Sequence, residues 1–235
     1  MLLGLVDGTA GRPTTIVVHP VCSHDRVQGW TVVVPAKLLA RAKTRLAPLT
    51  AAAGPAVHAE LVLALLADTV AAAVASPAVT GVLVVTDEPR AVELVTALGA
   101  RTAPDAPAAG LNPALVHGAG LACGAVAALS SDLPALRTAE LTAALSAAGQ
   151  ERRSFVADAD GTGTTLLAVT AGPLDPRFGP GSAAAHAGSG AVPLGGGWPG
   201  LRRDVDSPVD LRAAAGLGLG PRTAPLAGRL LRAAG

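Results

Sequence analysis

Residues 125–136 read Ala-Val-Ala-Ala-Leu-Ser-Ser-Asp-Leu-Pro-Ala-Leu, an apolar run that ends in a carboxylate and a proline. The uncharged part, residues 125–129, predicts a buried strand, and Pro134 discourages strand pairing beyond it. In open α/β sheets, ligands bind just beyond the carboxyl ends of the strands. Asp132 is therefore a candidate functional residue, and its alternative role is that of an ordinary turn former.

A second segment with a similar pattern lies at residues 201–208, which read Leu-Arg-Arg-Asp-Val-Asp-Ser-Pro. It predicts a strand at 201–205 followed by a helix, and it carries two carboxylates, Asp204 and Asp206. Carboxylates that converge from two strand ends suit a hard, oxygen-seeking cation such as Mg²⁺. The two segments together predict a divalent metal site.

The composition limits the classes of protein to consider. A chain of 235 residues is long enough for one sizeable domain, and half of it is hydrophobic although aromatic residues make up only 2%. The core is therefore expected to consist of Val, Leu and Ala. A net charge of +1 and the scarcity of stacking side chains argue against a nucleic-acid partner.

Membrane attachment and export are not expected from the sequence. No apolar run is expected to be long enough to cross a membrane, and the apolar start at Met1–Val6 lacks a basic n-region. The expected location is the cytoplasm.

The order of elements predicts an α/β fold. The strands are expected at residues 31–34, 81–86, 100–103, 125–129, 154–157, 164–169 and 201–205. The helices are expected at residues 55–76, 89–98, 112–123, 138–148, 182–187 and 209–215. Their alternation predicts a three-layer sandwich with a mainly parallel sheet, in which the strands at 154–157 and 164–169 form an antiparallel pair.

One main domain is expected. Residues 1–29 are rich in Gly, Pro and Thr and are interpreted as a leader. Residues 30–220 would form the domain, and residues 221–235 a basic C-terminal tail.

The loop after the first predicted strand is dense in cations, with Lys37, Arg41, Lys43 and Arg45 within nine residues. Cations and backbone amides beyond a strand end can bind a polyphosphate. The loop lacks the glycines of a P-loop and of the dinucleotide fingerprint. The alternative interpretation is a solvated basic turn.

A third cluster combines residues 161–164, Gly-Thr-Gly-Thr, with residues 178–182, Phe-Gly-Pro-Gly-Ser. Hydroxyls and unhindered backbone amides at these turns suit a small phosphorylated or carboxylated ligand, although such residues also serve in ordinary turns. A cation-rich loop, paired carboxylates and a small anion pocket together favour transfer of a nucleotidyl group.

Five motifs, in their order along the chain, resemble those of a known family. The motifs at residues 34–46, 131–136, 160–164, 177–182 and 204–208 are similar to those of the CofC/FbiD family, the guanylyltransferases of coenzyme F-420 biosynthesis, over about residues 30 to 225. The resemblance implies a GT-A-like nucleotidyltransferase fold. It also implies that GMP from GTP is joined to phosphoenolpyruvate or 2-phospho-L-lactate with release of pyrophosphate.

The resemblance also assigns roles to single residues. Asp132 and Asp204 match the metal-binding aspartates, and Mg²⁺ is the implied cofactor. The phosphorylated acid is expected to contact Thr164, Gly179 and Ser182. GTP is expected to contact Lys37, Lys43, Arg45 and Asn112. The residues expected to act in catalysis are Asp132, Asp204 and Lys43.

Several alternatives stay open at this stage. Phosphoenolpyruvate is the favoured acceptor, with 2-phospho-L-lactate or 3-phosphoglycerate as alternatives, and the transferase that uses the activated product is a further expected partner. A sugar-nucleotide glycosyltransferase and a non-catalytic nucleotide-binding protein are the competing functions. Three histidines, His58, His117 and His186, are interpreted as structural residues without partners.

Overall fold

Valine-rich and alanine-rich strands form one sheet in the computed structural model, which describes residues 29–39, 42–106 and 108–233. The strands in these residues are β1 (Trp30–Pro35), β2 (Val79–Val85), β3 (Arg101–Ala103), β4 (Ala125–Leu129), β5 (Arg153–Ala157), β6 (Thr164–Val169) and β7 (Val192–Pro193). Their order across the sheet is β3-β2-β1-β4-β6-β5-β7. Apart from Gly29, the predicted leader lies outside the described residues.

The sheet is parallel except at one strand. β1 pairs in parallel with both β2 and β4, whereas β6 is antiparallel to its neighbours β4 and β5. The predicted mixed, mainly parallel sheet and its antiparallel pair are confirmed. Because the strand order reverses between β1 and β4, a crevice forms at the carboxyl ends of these two strands.

Helices cover both faces of the sheet. They are α1 (Ala47–Thr50), α2 (Pro55–Val74), α3 (Pro89–Ala97), α4 (Leu111–Gly120), α5 (Thr138–Ala148), α6 (Ser182–Gly188), α7 (Pro199–Arg202), α8 (Pro208–Leu217) and α9 (Thr223–Ala233). Successive strand residues point to opposite faces, so Val34 packs in one core with α2 and α5 and Val33 in another with α4. The predicted three-layer α/β sandwich is confirmed.

The strand predicted at residues 201–205 is wrong, because this part of the chain begins as the short helix α7. The buried Glu140 carboxylate accepts hydrogen bonds from the backbone N–H groups of Gly200 (3.2 Å) and Leu201 (3.0 Å). These bonds satisfy two N–H groups that have no partner inside a helical first turn. Leu201 is fully buried in this position.

The predicted C-terminal tail is also wrong for residues 223–233, which form helix α9. Asp68, a buried carboxylate on α2, accepts hydrogen bonds from the backbone N–H groups of Arg222 (3.1 Å) and Thr223 (2.8 Å). A carboxylate at a helix N-terminus is favourable because it neutralises the partial positive charge there. The buried Ala227 and Leu230 complete the contact of α9 with the domain.

Helix α2 corrects a further expectation. By length and composition it is the one described helix that could cross a membrane, so the view that no apolar run is long enough was wrong. Its apolar character has another explanation, since 56% of its most apolar window is buried inside the protein. Leu61, Leu65 and Val70 lie in the cores under the sheet and beside α9.

Candidate active site

A cavity of about 730 Å³ opens at the carboxyl ends of β1 and β4. This is the crevice where the strand order reverses, and its volume is typical of a site for a small molecule. The predicted site residues that line it are Lys37, Lys43, Arg45, Asp132, Thr164, Gly179, Ser182 and Asp204.

The register of β6 explains why residues distant in sequence share this cavity. Leu129 of β4 pairs with Leu166 of the antiparallel β6, and the Ser130 N–H donates to the Thr165 carbonyl (2.9 Å). The first residue of β6, Thr164, therefore lies at the same edge of the sheet as Asp132.

Lys43 is held between two carboxylates. Its Nζ donates to Asp132 Oδ2 and to Asp206 Oδ1, the second at 2.5 Å. The Lys43 backbone is left-handed, with φ of 53°, which is uncommon for a residue with a side chain and is often found at functional sites. The ammonium joins the end of β4 to the loop before α8.

Asp204 is a largely buried carboxyl group with a shifted pKa. Burial, and after it the negative charge of Asp206, raise the pKa of Asp204 to about 6, with Asp158 adding to the rise and Lys43 opposing it. The backbone next to Asp204 contacts the end of β4 directly, because the Val205 N–H donates to the Asp132 carbonyl (3.1 Å). Asp132 and Asp204 thus belong to one cluster.

The donor chemistry of this cluster fits a divalent cation. Asp132 and Asp206 pair with the Lys43 ammonium, and the carboxylate of Asp204 lies close enough to Asp206 and Lys43 to feel their charges. Within the described residues, no three His, Cys, Asp or Glu side chains form a ready metal cage. Mg²⁺ does not require one, because it is commonly held by one or two carboxylates together with water and substrate phosphates.

The loop that carries Asp204 and Asp206 is fixed at its end. The Ser207 hydroxyl accepts from the Asp210 N–H, and the Asp210 carboxylate accepts from the Ser207 N–H (2.8 Å), a reciprocal cap at the start of α8. Arg203 lies 3.7 Å from Asp210 and 3.8 Å from Asp160. These contacts fix the loop, and they do not involve the carboxylates of Asp204 and Asp206, which line the cavity.

Thr164, Gly179 and Ser182 also line the cavity, and because none of them carries a charge we call this group the uncharged wall. Thr164 and Ser182 are both buried, with 7% and 2% of their surface exposed. Gly179 has a φ of 139°, which favours glycine, and a side chain at this position would meet open space. The loop can therefore present backbone to a ligand at this point.

Asn112 positions this wall and does not line the cavity. Its side-chain amide donates to the Phe178 carbonyl (3.0 Å), and its Oδ1 accepts from the Phe178 N–H (2.8 Å). Both ends of the amide are thus occupied by the backbone beside Gly179. The expected contact of Asn112 with the nucleoside stays a prediction, and these two bonds show that the side chain also fixes the backbone of Phe178.

His58 and His186 have partners, contrary to the expectation that they have none. His58 is within hydrogen-bond distance of Thr50 Oγ1 (3.1 Å) and of the Ala42 carbonyl (3.0 Å). It therefore links helix α2 to the cation-rich loop. His186 is fully buried and lies 2.9 Å from Thr164 Oγ1. Burial, followed by the charge of Arg153, lowers the pKa of His186 to about 4, so its ring is neutral at pH 7.

The remaining predicted cations, Lys37 and Arg45, line the cavity with exposed side chains. Arg41, which belongs to the same cation-rich loop, lies outside the described residues. Lys37 and Arg45 can neutralise an anion at the mouth of the cavity, where solvent weakens each contact.

Sequence reasoning missed two acidic residues of the site. Asp206 appeared in the motif at 204–208 but was not chosen as a site residue, although its carboxylate pairs with Lys43. Asp158 accepts hydrogen bonds from the N–H groups of Thr162 (2.9 Å) and Gly163 (2.7 Å) and shapes the turn before β6. A Cβ on Gly163 would lie 2.3 Å from Asp158 Oδ2, so this close approach requires glycine.

Comparison with solved structures gives the class of protein. The fold is similar to a protein assigned as a nucleotide-diphospho-sugar transferase from Desulfovibrio desulfuricans, with a TM-score of 0.63 and 16% identity over 87% of this chain and 97% of that chain. A nucleotidyl transferase from Methanothermobacter matches with a TM-score of 0.52 and 16% identity over 80% and 97% of the two chains. At these identities the likeness concerns the fold, which is that of nucleotidyltransferases.

Sequence comparison gives the family. The family model described as "Guanylyl transferase CofC like" matches residues 30–189, and the chain belongs to this family of nucleotidyltransferase enzymes. A phosphoenolpyruvate guanylyltransferase of Geodermatophilus obscurus is 64% identical over 89% of this chain and 99% of its own length. Another, of Thermomonospora curvata, is 58% identical over 88% of this chain and 92% of its own length.

Proposed function

We propose that the protein transfers GMP from GTP to phosphoenolpyruvate, forming enolpyruvyl-diphospho-guanosine and pyrophosphate. Membership of the guanylyl transferase family and the names of relatives at 58–64% identity support this reaction and this acceptor. The observation that carries the proposal is the ammonium of Lys43 held between Asp132 and Asp206 in the cavity. The cation-rich loop and the uncharged wall line the same cavity, which suits two phosphorylated substrates.

The reaction needs no protein nucleophile. A phosphate oxygen of the acceptor forms a bond to the α-phosphorus of GTP, and the bond from that phosphorus to the oxygen bridging to the β-phosphate breaks. The electron pair of the broken bond leaves with pyrophosphate. Because the acceptor phosphate is already anionic near pH 7, catalysis depends on alignment of the reactants and on neutralisation of charge.

The cations of the first loop are assigned to the triphosphate. Lys43, fixed by its two carboxylates, neutralises charge that develops on the leaving pyrophosphate. Arg45 and Lys37 reach the same phosphates from the exposed mouth of the cavity. Asn112 acts indirectly, by holding the backbone of Phe178.

Asp132 and Asp204, with Asp206 beside them, would hold Mg²⁺ as the cofactor. The presence of these carboxylates in one cavity supports this assignment, because carboxylate oxygens are the ligands that Mg²⁺ prefers. Such an ion would neutralise charge on the phosphate groups. The task of the protein side chains is to keep their carboxylate oxygens directed at the cavity, which the contacts of Val205 and Asp210 accomplish.

The uncharged wall is assigned to the acceptor. The hydroxyls of Thr164 and Ser182 and the open backbone at Gly179 can donate hydrogen bonds to a phosphate or a carboxylate without adding charge. A short pocket with hydroxyl donors suits phosphoenolpyruvate, and 2-phospho-L-lactate presents the same two anionic groups.

We assign the activated product to coenzyme F-420 biosynthesis, as the family resemblance implies, and propose that the reaction takes place in the cytoplasm. A transferase would consume this product by joining its phosphorylated acid to a deazaflavin precursor, and the phosphate–phosphate bond would break with GMP as the leaving group. That transferase is the expected protein partner, and GTP and the acid are the expected small-molecule partners.

The experiment is a pyrophosphate-release assay with GTP, Mg²⁺ and one acid at a time. Phosphoenolpyruvate is expected to give the fastest release, ahead of 2-phospho-L-lactate and 3-phosphoglycerate, and the product is identified by mass. Fastest release with another acid would replace phosphoenolpyruvate as the acceptor. Release of a nucleoside diphosphate from a sugar nucleotide, with no pyrophosphate from GTP, would make the protein a glycosyltransferase.

A further inference from the structure

His186 lies directly behind the uncharged wall of the cavity. The residue is fully buried on α6, and its ring lies between Phe155 (centroids 5.8 Å apart) and Phe178 (5.2 Å, edge to face). Both ring nitrogens have partners at hydrogen-bond distance. Nε2 is 2.9 Å from the backbone nitrogen of Arg177, and Nδ1 is 2.9 Å from Thr164 Oγ1.

These partners determine which nitrogen carries the proton. A backbone N–H can only donate, so Nε2 of His186 must accept from Arg177 and cannot itself be protonated. In a neutral imidazole the other nitrogen then carries the hydrogen. Nδ1–H of His186 therefore donates to Thr164 Oγ1.

The ring is neutral for physical reasons that agree with this geometry. Burial lowers the pKa of His186 to about 4, and Arg153 and Arg177 add to this lowering, against the opposing charge of Asp175. Phe155 and Phe178 offer no anion to the ring. A second proton, which would break the bond from Arg177, is therefore disfavoured at pH 7.

The direction of the Thr164 hydroxyl follows from the tautomer. Since Oγ1 accepts from His186, its own hydrogen is available for donation, and among the described residues the hydroxyl makes no other hydrogen bond. Thr164 lines the cavity on the same wall as Gly179 and Ser182. The hydrogen is therefore available to a ligand in the cavity.

We propose that His186 is a positioning residue that fixes Thr164 as a hydrogen-bond donor to an anionic oxygen of the acceptor. The proposal rests on the proposed function and refines it, because a fixed donor selects acids that present an oxyanion at this point. The same ring holds the N–H of Arg177, two residues before Gly179. One side chain thus orients both the hydroxyl and the loop that face the acceptor.

Two matched variants separate these contacts. His186→Asn keeps an amide donor near the position of Nδ1, whereas His186→Gln places its amide near the position of Nε2 and leaves Thr164 without its donor. We expect His186→Gln to raise KM for phosphoenolpyruvate about tenfold and His186→Asn to raise it no more than about threefold, with KM for GTP within about twofold in both. A merely structural histidine would give the reverse order or would change both KM values together.

A double mutant tests whether His186 acts through Thr164. In a Thr164→Val background the hydroxyl is gone, so His186→Gln should add less than about a twofold change in KM for phosphoenolpyruvate. A further tenfold increase in the double mutant would overturn the proposal.

The tautomer is measured on the wild-type protein, independently of turnover. In ¹⁵N-labelled protein at pH 7, the imidazole nitrogen shifts of His186 should show a protonated Nδ1 and an unprotonated Nε2. A protonated Nε2, or a doubly protonated ring, would overturn the inference even if the enzyme is active. If the tautomer is as expected but no acid supports pyrophosphate release, it is the proposed function that fails.

Discussion

The two halves of the cavity differ in how their polar groups are satisfied. The carboxylate half (Lys43, Asp132, Asp204 and Asp206) contains three acidic groups, of which Asp132 and Asp206 pair with the Lys43 ammonium. The hydroxyl half (Thr164, Gly179 and Ser182) is uncharged and is braced from behind by neutral side chains. We infer that the two halves have different roles. The carboxylate half neutralises charge during the reaction, and the hydroxyl half positions the acceptor.

The largest expected effect is in the carboxylate half. Asp132→Asn keeps the shape of the side chain and removes the charge that pairs with Lys43 and that would hold the metal. We expect pyrophosphate release to fall about 1,000-fold or more, with an unchanged circular dichroism spectrum. The measurement is the initial rate at saturating GTP and phosphoenolpyruvate.

The matched control is Asp87→Asn. Asp87 follows β2 as Asp132 follows β4, but its carboxylate is exposed and does not line the cavity. Its rate should stay within about twofold of the wild type. Near-normal turnover in Asp132→Asn would remove the charge of this residue from the mechanism.

In the hydroxyl half, the buried neutral histidine should make stability depend on pH. The folded protein holds the pKa of His186 at about 4, below the ordinary value of 6.5, so the unfolded chain binds more protons between these values. The stabilisation is complete above pH 6.5 and is lost as the pH falls toward 4. Between pH 7.5 and 4.5 the free energy of unfolding should fall by about 2 to 3 kcal/mol more in the wild type than in His186→Asn.

Urea unfolding at several pH values checks this expectation, with Mg²⁺ omitted from all samples. Groups other than His186 titrate in both proteins, so the comparison with the variant isolates the histidine. Equal slopes of stability against pH in the two proteins would mean that His186 is not held neutral by burial.

A smaller effect is expected at the hydroxyl of Ser182. Ser182→Ala removes a buried hydroxyl that lines the uncharged wall, and KM for phosphoenolpyruvate should rise about tenfold while KM for GTP stays within about twofold. Ser146→Ala, at an exposed position on α5, is the control and should change neither constant. Equal increases in both KM values would move Ser182 out of the acceptor pocket.

The smallest effect is expected at the exposed mouth. Arg45→Gln should raise KM for GTP about threefold at low salt, and the difference from wild type should shrink at high salt because solvent ions screen exposed charges. Arg90→Gln removes a cation from the exposed surface of α3 and is the control. A loss that persists unchanged at high salt would indicate a buried contact of Arg45 with the phosphates.

Local patterns were sufficient to predict much of the fold. Residues 125–129, 138–148 and 164–169 form the predicted elements with the predicted bounds, because apolar runs, turn residues and β-branched residues agree there. The errors at α7 and α9 have one cause. Each helix begins at a buried carboxylate from a distant part of the chain, Glu140 or Asp68, and no local pattern reveals such a contact.

The sequence was sufficient to predict several residues of the site, but not the contacts between their side chains. The motifs supplied Asp132, Asp204 and Lys43, and the fold brings them into one cavity. The sequence could not indicate that Lys43 pairs with Asp206. Asp204 and Asp206 are two residues apart, and the conformation of their loop decides which carboxylate points toward Lys43. The contact of His186 with Thr164 likewise depends on the packing of α6 against the sheet beside β5.

The most direct measurement of the central claim follows the phosphates of labelled GTP. With phosphoenolpyruvate as the acceptor, label from the α-phosphate should appear in the enolpyruvyl product, and label from the γ-phosphate should appear in pyrophosphate. Both transfers should be lost in Asp132→Asn. Label from the γ-phosphate in the acid, or retention of the α-label in GMP or GDP without an enolpyruvyl product, would contradict guanylyl transfer at this cavity.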